Sequence, residues 1–378
     1  DHCAGGELIY QWISDSTYRF ILKFYRDCSG IDAYGTQDLC IYEPCTGQSD
    51  SKVMQKWNGN LPDGRPNGSP VAAGCSGYPT KCEDPGSTIP GYREWWYSVI
   101  VTLPPGKCDA YKFAVWISAR NFSQNINGGN LYLESTLNNT ISDTNSSPYF
   151  SIKPVPYVCI NQPTTYNNGA IDIDGDSLST EVIEPLNGSS CSTPPPAIGF
   201  KAGTPAYVIP NNPIQTNNTF NVNAVSGNLT FTPSLAGGST LTVRTNEYRG
   251  GRKIGSIMRD VQVQVLACSS TAPTVTPITS TITGGAYVSN RVNGCTNEKL
   301  EFCFNIQTAD TEAILIAEDN HAFAMPTATI TYDNQKSDSI RGCFSWTPTA
   351  VDSGFKSLIL TVRDSTCKPP GILIYHTI

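Results

Sequence analysis

The chain has 378 residues, a formal net charge of −7 and 14 cysteines, and only 15% of its residues are charged. That fraction is well below the roughly 25% usual for soluble domains. With no run of Lys or Arg, the composition excludes nucleic acid and argues against an anionic membrane surface, since both need a basic stripe to displace counterions. No stretch of 18 apolar residues exists to span a bilayer.

Fourteen cysteines point either to disulfides in an oxidising compartment or to zinc clusters. Zinc favours short CxxC pairs and histidines. No CxxC occurs, and the three histidines, His2, His321 and His376, are scattered, so the disulfide reading is taken. The chain opens DHCAGGELIY, which reads as a mature start after removal of a signal peptide. It stops on the alternating run GILIYHTI, which reads as a chain that continues.

Taken in order, the periodicity is two rather than 3.6. ELIYQWI and TYRFILKFY flank SDS and predict a β-hairpin over 7–25. The 37–90 segment, with four Cys and many Gly and Pro, reads as a disulfide-pinned excursion. WWYSVIVTL, YKFAVWISA and NLYLESTL follow as strands, then LTFTP, STLTVRTNEY, VQVQVLAC, LEFCFNI, ATITYD and SLILTVRD. No amphipathic helix longer than two turns is expected.

A repeat sets the architecture. GNLTFTP from Gly227 matches GCFSWTP from Gly342, so that Phe231 aligns with Trp346 and Pro233 with Pro348, each at an offset of 115 residues. That is close to the ~100 residues of an immunoglobulin-like sandwich. The expected fold is all-β: tandem immunoglobulin-like β-sandwich modules stapled by disulfides. The expected modules are a loop-rich sandwich over 1–150, an immunoglobulin- or cadherin-like module over 151–268, and a module over 269–378 that repeats the second. The Ser/Thr/Pro-rich 269–281 stretch is a linker or a first edge strand.

The first module holds seven cysteines and the second three. Odd numbers leave three options: one bridge between modules, two free thiols, or a misplaced boundary. Short spacing favours Cys40–Cys45 and Cys75–Cys82, and predicted strand positions favour Cys303–Cys343.

The sharpest chemical motif is AIDIDGDSLS over 170–179. On an extended strand, alternation would place Asp172, Asp174 and Asp176 on one side, and clustered carboxylates suit Ca²⁺. An EF-hand is disfavoured, because position 183 is Ile and the flanks read as strand. The competing reading is a solvated Asp/Gly turn. EYRGGRKIGSIMRD over 247–260 reads as a hairpin turning at Gly250-Gly251, with its charges paired across strands. In GYREWWYS, Trp95 and Trp96 face opposite sides of a strand, so at least one is core and the other could stack on a ligand. No GxSxG, HExxH, GxGxxG or P-loop occurs, and no histidine lies near a nucleophile elbow; the chain is read as no enzyme. N-x-S/T sequons occur at Asn121, Asn138, Asn145, Asn187, Asn217 and Asn228.

AGGELIYQWISDSTYRFILKFYRDCSG, SSPYFSIKPVPYVCINQP, DIDGDSLS and the GNLTFTP…NEYRGGRKIGSIMRDVQVQV stretch, with FSWTP and VRDSTC further on, resemble the large type IX-secreted cell-surface proteins of Bacteroidota, of the kind carrying a gliding-motility-associated C-terminal domain. The resemblance covers most of 1–268. It implies an extracellular protein with immunoglobulin/cadherin-like repeats, acting in adhesion or surface fibres, that associates with itself or with other surface proteins and glycans. The sorting domain itself is not visible. The resemblance also implies O-glycans on Asp-Ser/Thr-apolar motifs, matched by Ser177 and Ser339. The alternative function is a carbohydrate-binding secreted protein using the Trp95/Trp96 region.

Overall fold

In the computed structural model, the described residues are 3–71, 79–154, 157–269, 272–288, 291–365 and the backbone of 373–377. The first seven strands are β1 (Cys3–Ser14), β2 (Thr17–Asp27), β3 (Thr36–Glu43), β4 (Gln48–Lys56), β5 (Tyr92–Thr102), β6 (Tyr111–Ile117) and β7 (Leu131–Leu137). Next come β8 (Tyr149–Phe150), β9 (Tyr157–Cys159), β10 (Thr164–Asn167), β11 (Ala170–Ile171), β12 (Ser177–Ile183), β13 (Asn221–Val222), β14 (Asn228–Phe231), β15 (Gly237–Arg249) and β16 (Arg252–Leu266). The remainder are β17 (Thr274–Thr283), β18 (Gly285–Val288), β19 (Arg291–Gly294), β20 (Leu300–Gln307), β21 (Leu315–Asp319), β22 (Thr329–Asp333), β23 (Ser339–Trp346), β24 (Ile359–Asp364) and β25 (Leu373–Thr377). The protein is all-β; a single α-helical turn, His321–Ala324, breaks the pattern among the described residues.

The expected hairpin of β1 and β2 forms, with Leu8 opposite Leu22 and Tyr10 opposite Phe20. The ILKFY run of β2 is buried on both faces. Phe20, Leu22 and Phe24 point into one core with Tyr10, Phe113 and Leu133. Ile21 and Tyr25 point into a second core with Phe150, Tyr166, Phe231 and Val263. A strand between two cores is apolar on both faces, which explains the loss of alternation there; Lys23, the one charged residue of the run, is buried against Glu7 at 2.6 Å.

The long β15–β16 hairpin joins these layers. Along its free edge, β16 pairs in turn with β7 at Gly255–Ile257, with β1 at Arg259–Val261, and in parallel with β9 at Gln264–Leu266. The path β1-β2-β5-β4-β3-β6-β7-β16 therefore returns to β1, with β15 and β12 continuing outward from β16. A boundary at residue 150 thus separates strands that hydrogen-bond in one sheet. At the junction, a Cβ on Gly5 (φ +142°) would lie 2.0 Å from the Asp260 carbonyl oxygen, so only glycine permits this approach.

The excursion expected over 37–90 is corrected in its first part. β3 and β4 enter the main sheet between β6 and β5. β4 (QSDSKVMQK) buries only Met54 and is mostly exposed on its other positions, so its sequence carries almost no apolar signal.

The described residues from 272 onward form a two-sheet β-sandwich. The sheet β17-β20-β23-β22 faces β21-β24-β25. Phe302, Phe304, Ile306, Phe344 and Trp346 meet Leu315, Ala317, Leu360 and Val362 in its core. The Ser/Thr/Pro-rich stretch is in part the edge strand β17. Phe231 and Trp346 both end a strand inside a core, and each is followed one residue later by Thr and then Pro, consistent with the repeat.

Five disulfides link described residues. Cys28–Cys82, Cys45–Cys108 and Cys159–Cys268 close spans of 54, 63 and 109 residues. Cys40–Cys191 closes a span of 151 residues and ties the first expected module to the second. Cys303 and Cys343 are direct cross-strand neighbours on β20 and β23, with Cα atoms 4.1 Å apart. Two expectations are corrected. Cys40 bonds Cys191 rather than Cys45, because Cys40 lies within β3 whereas Cys45 lies in the turn beyond it, where it meets Cys108. Cys82 bonds Cys28 at the end of β2 rather than Cys75, which lies outside the described residues.

Candidate functional site

The Asp172–Asp176 stretch is not the extended strand expected from its alternation. After the two residues of β11 the chain turns, with Gly175 at φ +83°, and Asp172 Oδ1 accepts the Asp176 N–H at 2.8 Å. This side-chain-to-backbone bond is the local reason that an Asp-rich run folds as a turn. The turn separates the carboxylates. Asp174 accepts the Ser146 N–H at 2.7 Å and is not one of the group that converges. Asp172 and Asp176 converge instead with Glu247 of β15, so that one oxygen from each of the three lies within 4.8 Å of the others.

Glu247 is placed by the sheet. It sits opposite Leu178 on β12 and Gly255 on β16. Immediately after it the β15–β16 register slips by one residue, which leaves Ile254 unpaired. Such a bulge re-aims side chains. Gly255 supplies the space: a Cβ there would lie 2.9 Å from both Glu247 Oε2 and the Tyr10 hydroxyl oxygen. Tyr10 and Asn145, both fully buried, complete the wall, and Tyr10 donates to the Thr136 carbonyl at 2.9 Å.

One cation faces this group. Arg249 donates through Nε and Nη2 to the two oxygens of Asp176, at 2.8 and 2.6 Å, and through Nη2 to Asn145 Oδ1 at 2.8 Å. The same Nη2 lies 4.0 Å from Asp174. Arg249 therefore pairs with Asp176, and among the described residues neither Asp172 nor Glu247 has a cation of its own. Glu247 is 0% exposed, and among the described residues neither of its oxygens, nor Asp172 Oδ2, meets a donor in full hydrogen-bond geometry, although the Asn145 amide lies beside Glu247. Burial, then the charge of Asp172, push the Glu247 carboxyl up to about 10. Burial raises Asp172 to about 6, with the charge of Asp176 adding to it and the Asp176 N–H working against it. The arrangement can hold a hard cation or a shared proton.

The expectation that the hairpin charges pair across β15 and β16 is corrected. Arg249 reaches Asp176, Arg259 reaches Glu7 on β1, and Asp260 receives Arg120 Nη1 at 2.6 Å. The hairpin uses its charges to bind other elements.

Trp95 and Trp96 do face opposite sides, and protein groups occupy both rings. Gly68 packs on the Trp95 ring and the Lys56 ammonium lies 4.2 Å from its centroid. Trp96 meets Trp57 edge-on at 5.7 Å and Lys23 at 4.9 Å, and donates its indole N–H to Glu94 at 2.7 Å. Ser177 is exposed at the start of β12, and Ser339 is half-buried at the start of β23.

Glu247 was visible in the sequence only as one charge of a hairpin. Its distance of 71 residues from Asp176 hides the partnership, and only the β12–β15 register would reveal it.

A second concavity of about 500 Å³ lies beside the strandless loop over 198–217; Phe122, Lys201, Tyr207, Gln215 and Asn217 line it. Phe122 is 75% exposed, with the Lys201 ammonium 4.4 Å from its ring centroid.

No family profile and no curated protein matches the chain. Among solved structures it is similar to the extracellular cadherin domains 1-4 of protocadherin gamma B7. The identity is 11% and the TM-score 0.19, over 100% of this chain and 76% of that one. A superposition that loose leaves fold and site to be read from the chain itself.

Proposed function

We propose that the chain is a non-catalytic extracellular structural or adhesive surface protein, able to serve as a subunit of a surface fibre. The observation that carries this reading is the set of five disulfides, which tie strands across spans of 40 to 151 residues. Such cross-links persist in oxidising compartments and not in a reducing cytosol. The strands they join form a scaffold whose charged groups are spent on holding strands together. Among the described residues no helix is long and apolar enough to cross a membrane. The type IX-secreted, Bacteroidota-like origin belongs to this reading, as do O-glycans on Ser177 and Ser339. So does calcium, now with Glu247 in place of Asp174.

Treating intact producing cells with a membrane-impermeant amine reagent tests the placement. The chain should be tagged and should run faster on gels without reductant. A chain that stays untagged, with its thiols reduced, overturns the reading. Negative-stain images of the native material then separate fibres from single adhesins.

A second reading, carbohydrate binding, is supported by the Phe122 cleft rather than by Trp95 and Trp96. An exposed aromatic ring beside neutral amides suits the apolar face and hydroxyls of a sugar. A glycan array probed with the chain and with Phe122→Ala should show binding that the substitution removes. An array blank for both chains leaves that reading without support.

A further inference from the structure

We infer that Asp172, Asp176 and Glu247 form a calcium site that clamps the 172–176 turn onto the β15–β16 hairpin. The inference deepens the surface-protein reading and rests on it, because outside a cell calcium is abundant enough to fill a modest site. Modules exposed to that medium bind it at about 10⁻⁴–10⁻³ M.

The physical case begins with the orphaned acceptors. Asp172 Oδ2 and both oxygens of Glu247 meet no donor in full hydrogen-bond geometry, and Glu247 is wholly buried. A buried carboxylate without a partner is costly enough that native structures avoid it. A single proton shared between Asp172 and Glu247 would satisfy two of the three oxygens, and the Asn145 amide is the donor left for the third. A cation takes all three. Oxygens on opposite sides of Ca²⁺ stand up to about 5 Å apart, and this group falls within 4.8 Å.

Among the described residues, the only guanidinium at the site is already committed. Arg249 holds both oxygens of Asp176, so it cannot also serve Glu247. The groups that face Glu247 are Asp172 and Asp176 from the turn, Tyr10 from β1, Arg249 from its own strand, and the Asn145 amide, whose Nδ2 makes no bond of full hydrogen-bond geometry but lies close enough to Glu247 to favour its charged form. The remaining ligands would be water entering beside the half-buried Asp172. The competing arrangement is a protonated Glu247 that bonds Asp172 and receives Asn145; the same experiment decides between them.

The consequence is mechanical. The turn carries Asp172 and Asp176, Glu247 lies at the bulge of the hairpin, and that hairpin closes the first sheet on itself. Calcium there would couple the second module's edge strand β12 to the strands of the first.

The test is calorimetric titration of Ca²⁺ into the disulfide-intact chain after EGTA treatment, paired with thermal unfolding. One saturable site and a rise in Tm with Ca²⁺ are expected. Glu247→Gln and Asp172→Asn should each weaken binding at least tenfold, whereas Asp174→Asn should stay within threefold. No saturable binding at millimolar Ca²⁺, or Glu247→Gln with wild-type affinity, overturns the inference. If Glu247→Gln does not fold, Asp172→Asn decides, since its side chain lies in a partly exposed turn. A chain that is disulfide-bonded and surface-exposed but binds no calcium sinks this inference and leaves the surface-protein reading standing.

Discussion

Glu7 on β1 and Arg259 on β16 are direct cross-strand neighbours, and their side chains form an ion pair with 0% and 1% exposure. Lys23 on β2 adds a second cation at 2.6 Å from Glu7, and Arg259 goes on to donate to the Ile152 carbonyl at 2.8 Å. The pair sits where the sheet closes on itself, between two residues 252 positions apart in the chain. Beside it, Arg120 and Asp260 form a second buried pair, and Thr242 donates to Asp260 at 2.8 Å. These polar joints fix the register of β1 on β16, where an apolar contact would tolerate a slip.

Removing one partner should be severe. Glu7→Gln leaves Arg259 buried without its counter-charge and should cost about 3–5 kcal/mol, measured as a loss of urea midpoint at neutral pH.

The same pair predicts acid sensitivity. Burial alone would raise the Glu7 carboxyl, but Arg259 and Lys23 outweigh it and hold it below its usual range. A carboxylate with a depressed folded pKa contributes stability that is present above its unfolded pKa and is lost as pH falls through the folded value. The wild-type urea midpoint should therefore fall on acidification below about pH 4. Glu7→Gln lacks that contribution, so the gap between the two proteins should narrow. A gap unchanged at pH 3 would count against a stabilising ion pair.

Gly5→Ala should unfold the closure. The new Cβ would lie 2.0 Å from the Asp260 carbonyl oxygen, at a φ of +142° that L residues rarely adopt. A cost of about 3 kcal/mol or more is expected from strain and a displaced strand. Hydrogen exchange should show β1 and β16 losing protection before β20 and β23.

Two free thiols among the described residues should differ in reactivity. Burial pushes the Cys3 thiol up to about 12 despite nearby Arg120, whereas Cys295 is exposed. The thiolate is the reactive form. Iodoacetamide at pH 8 should label Cys295 in the native protein and Cys3 only after unfolding, as read by mass spectrometry.

What the sequence disclosed and what it hid divide along contact distance. The β1–β2 hairpin and the Gly250-Gly251 turn were legible because their signals are local: alternation and turn residues. The Cys40–Cys191 bridge was foreshadowed only by odd cysteine counts, since its ends stand 151 residues apart. β4 escaped notice because its polar residues carry little apolar pattern. At the candidate site, Asp172 and Asp176 were legible as acidic residues around a glycine. The reading that grouped Asp174 with them assumed an extended strand, and in the turn Asp174 binds the Ser146 N–H instead. Glu247 required the sheet register.

The covalent framework fixes the fold, and peptide mapping of the non-reduced native chain tests it most directly. The predicted result is linked peptides for Cys28–Cys82, Cys40–Cys191, Cys45–Cys108, Cys159–Cys268 and Cys303–Cys343. Recovery of these cysteines as alkylated free thiols, or of Cys40 joined to Cys45, would contradict it.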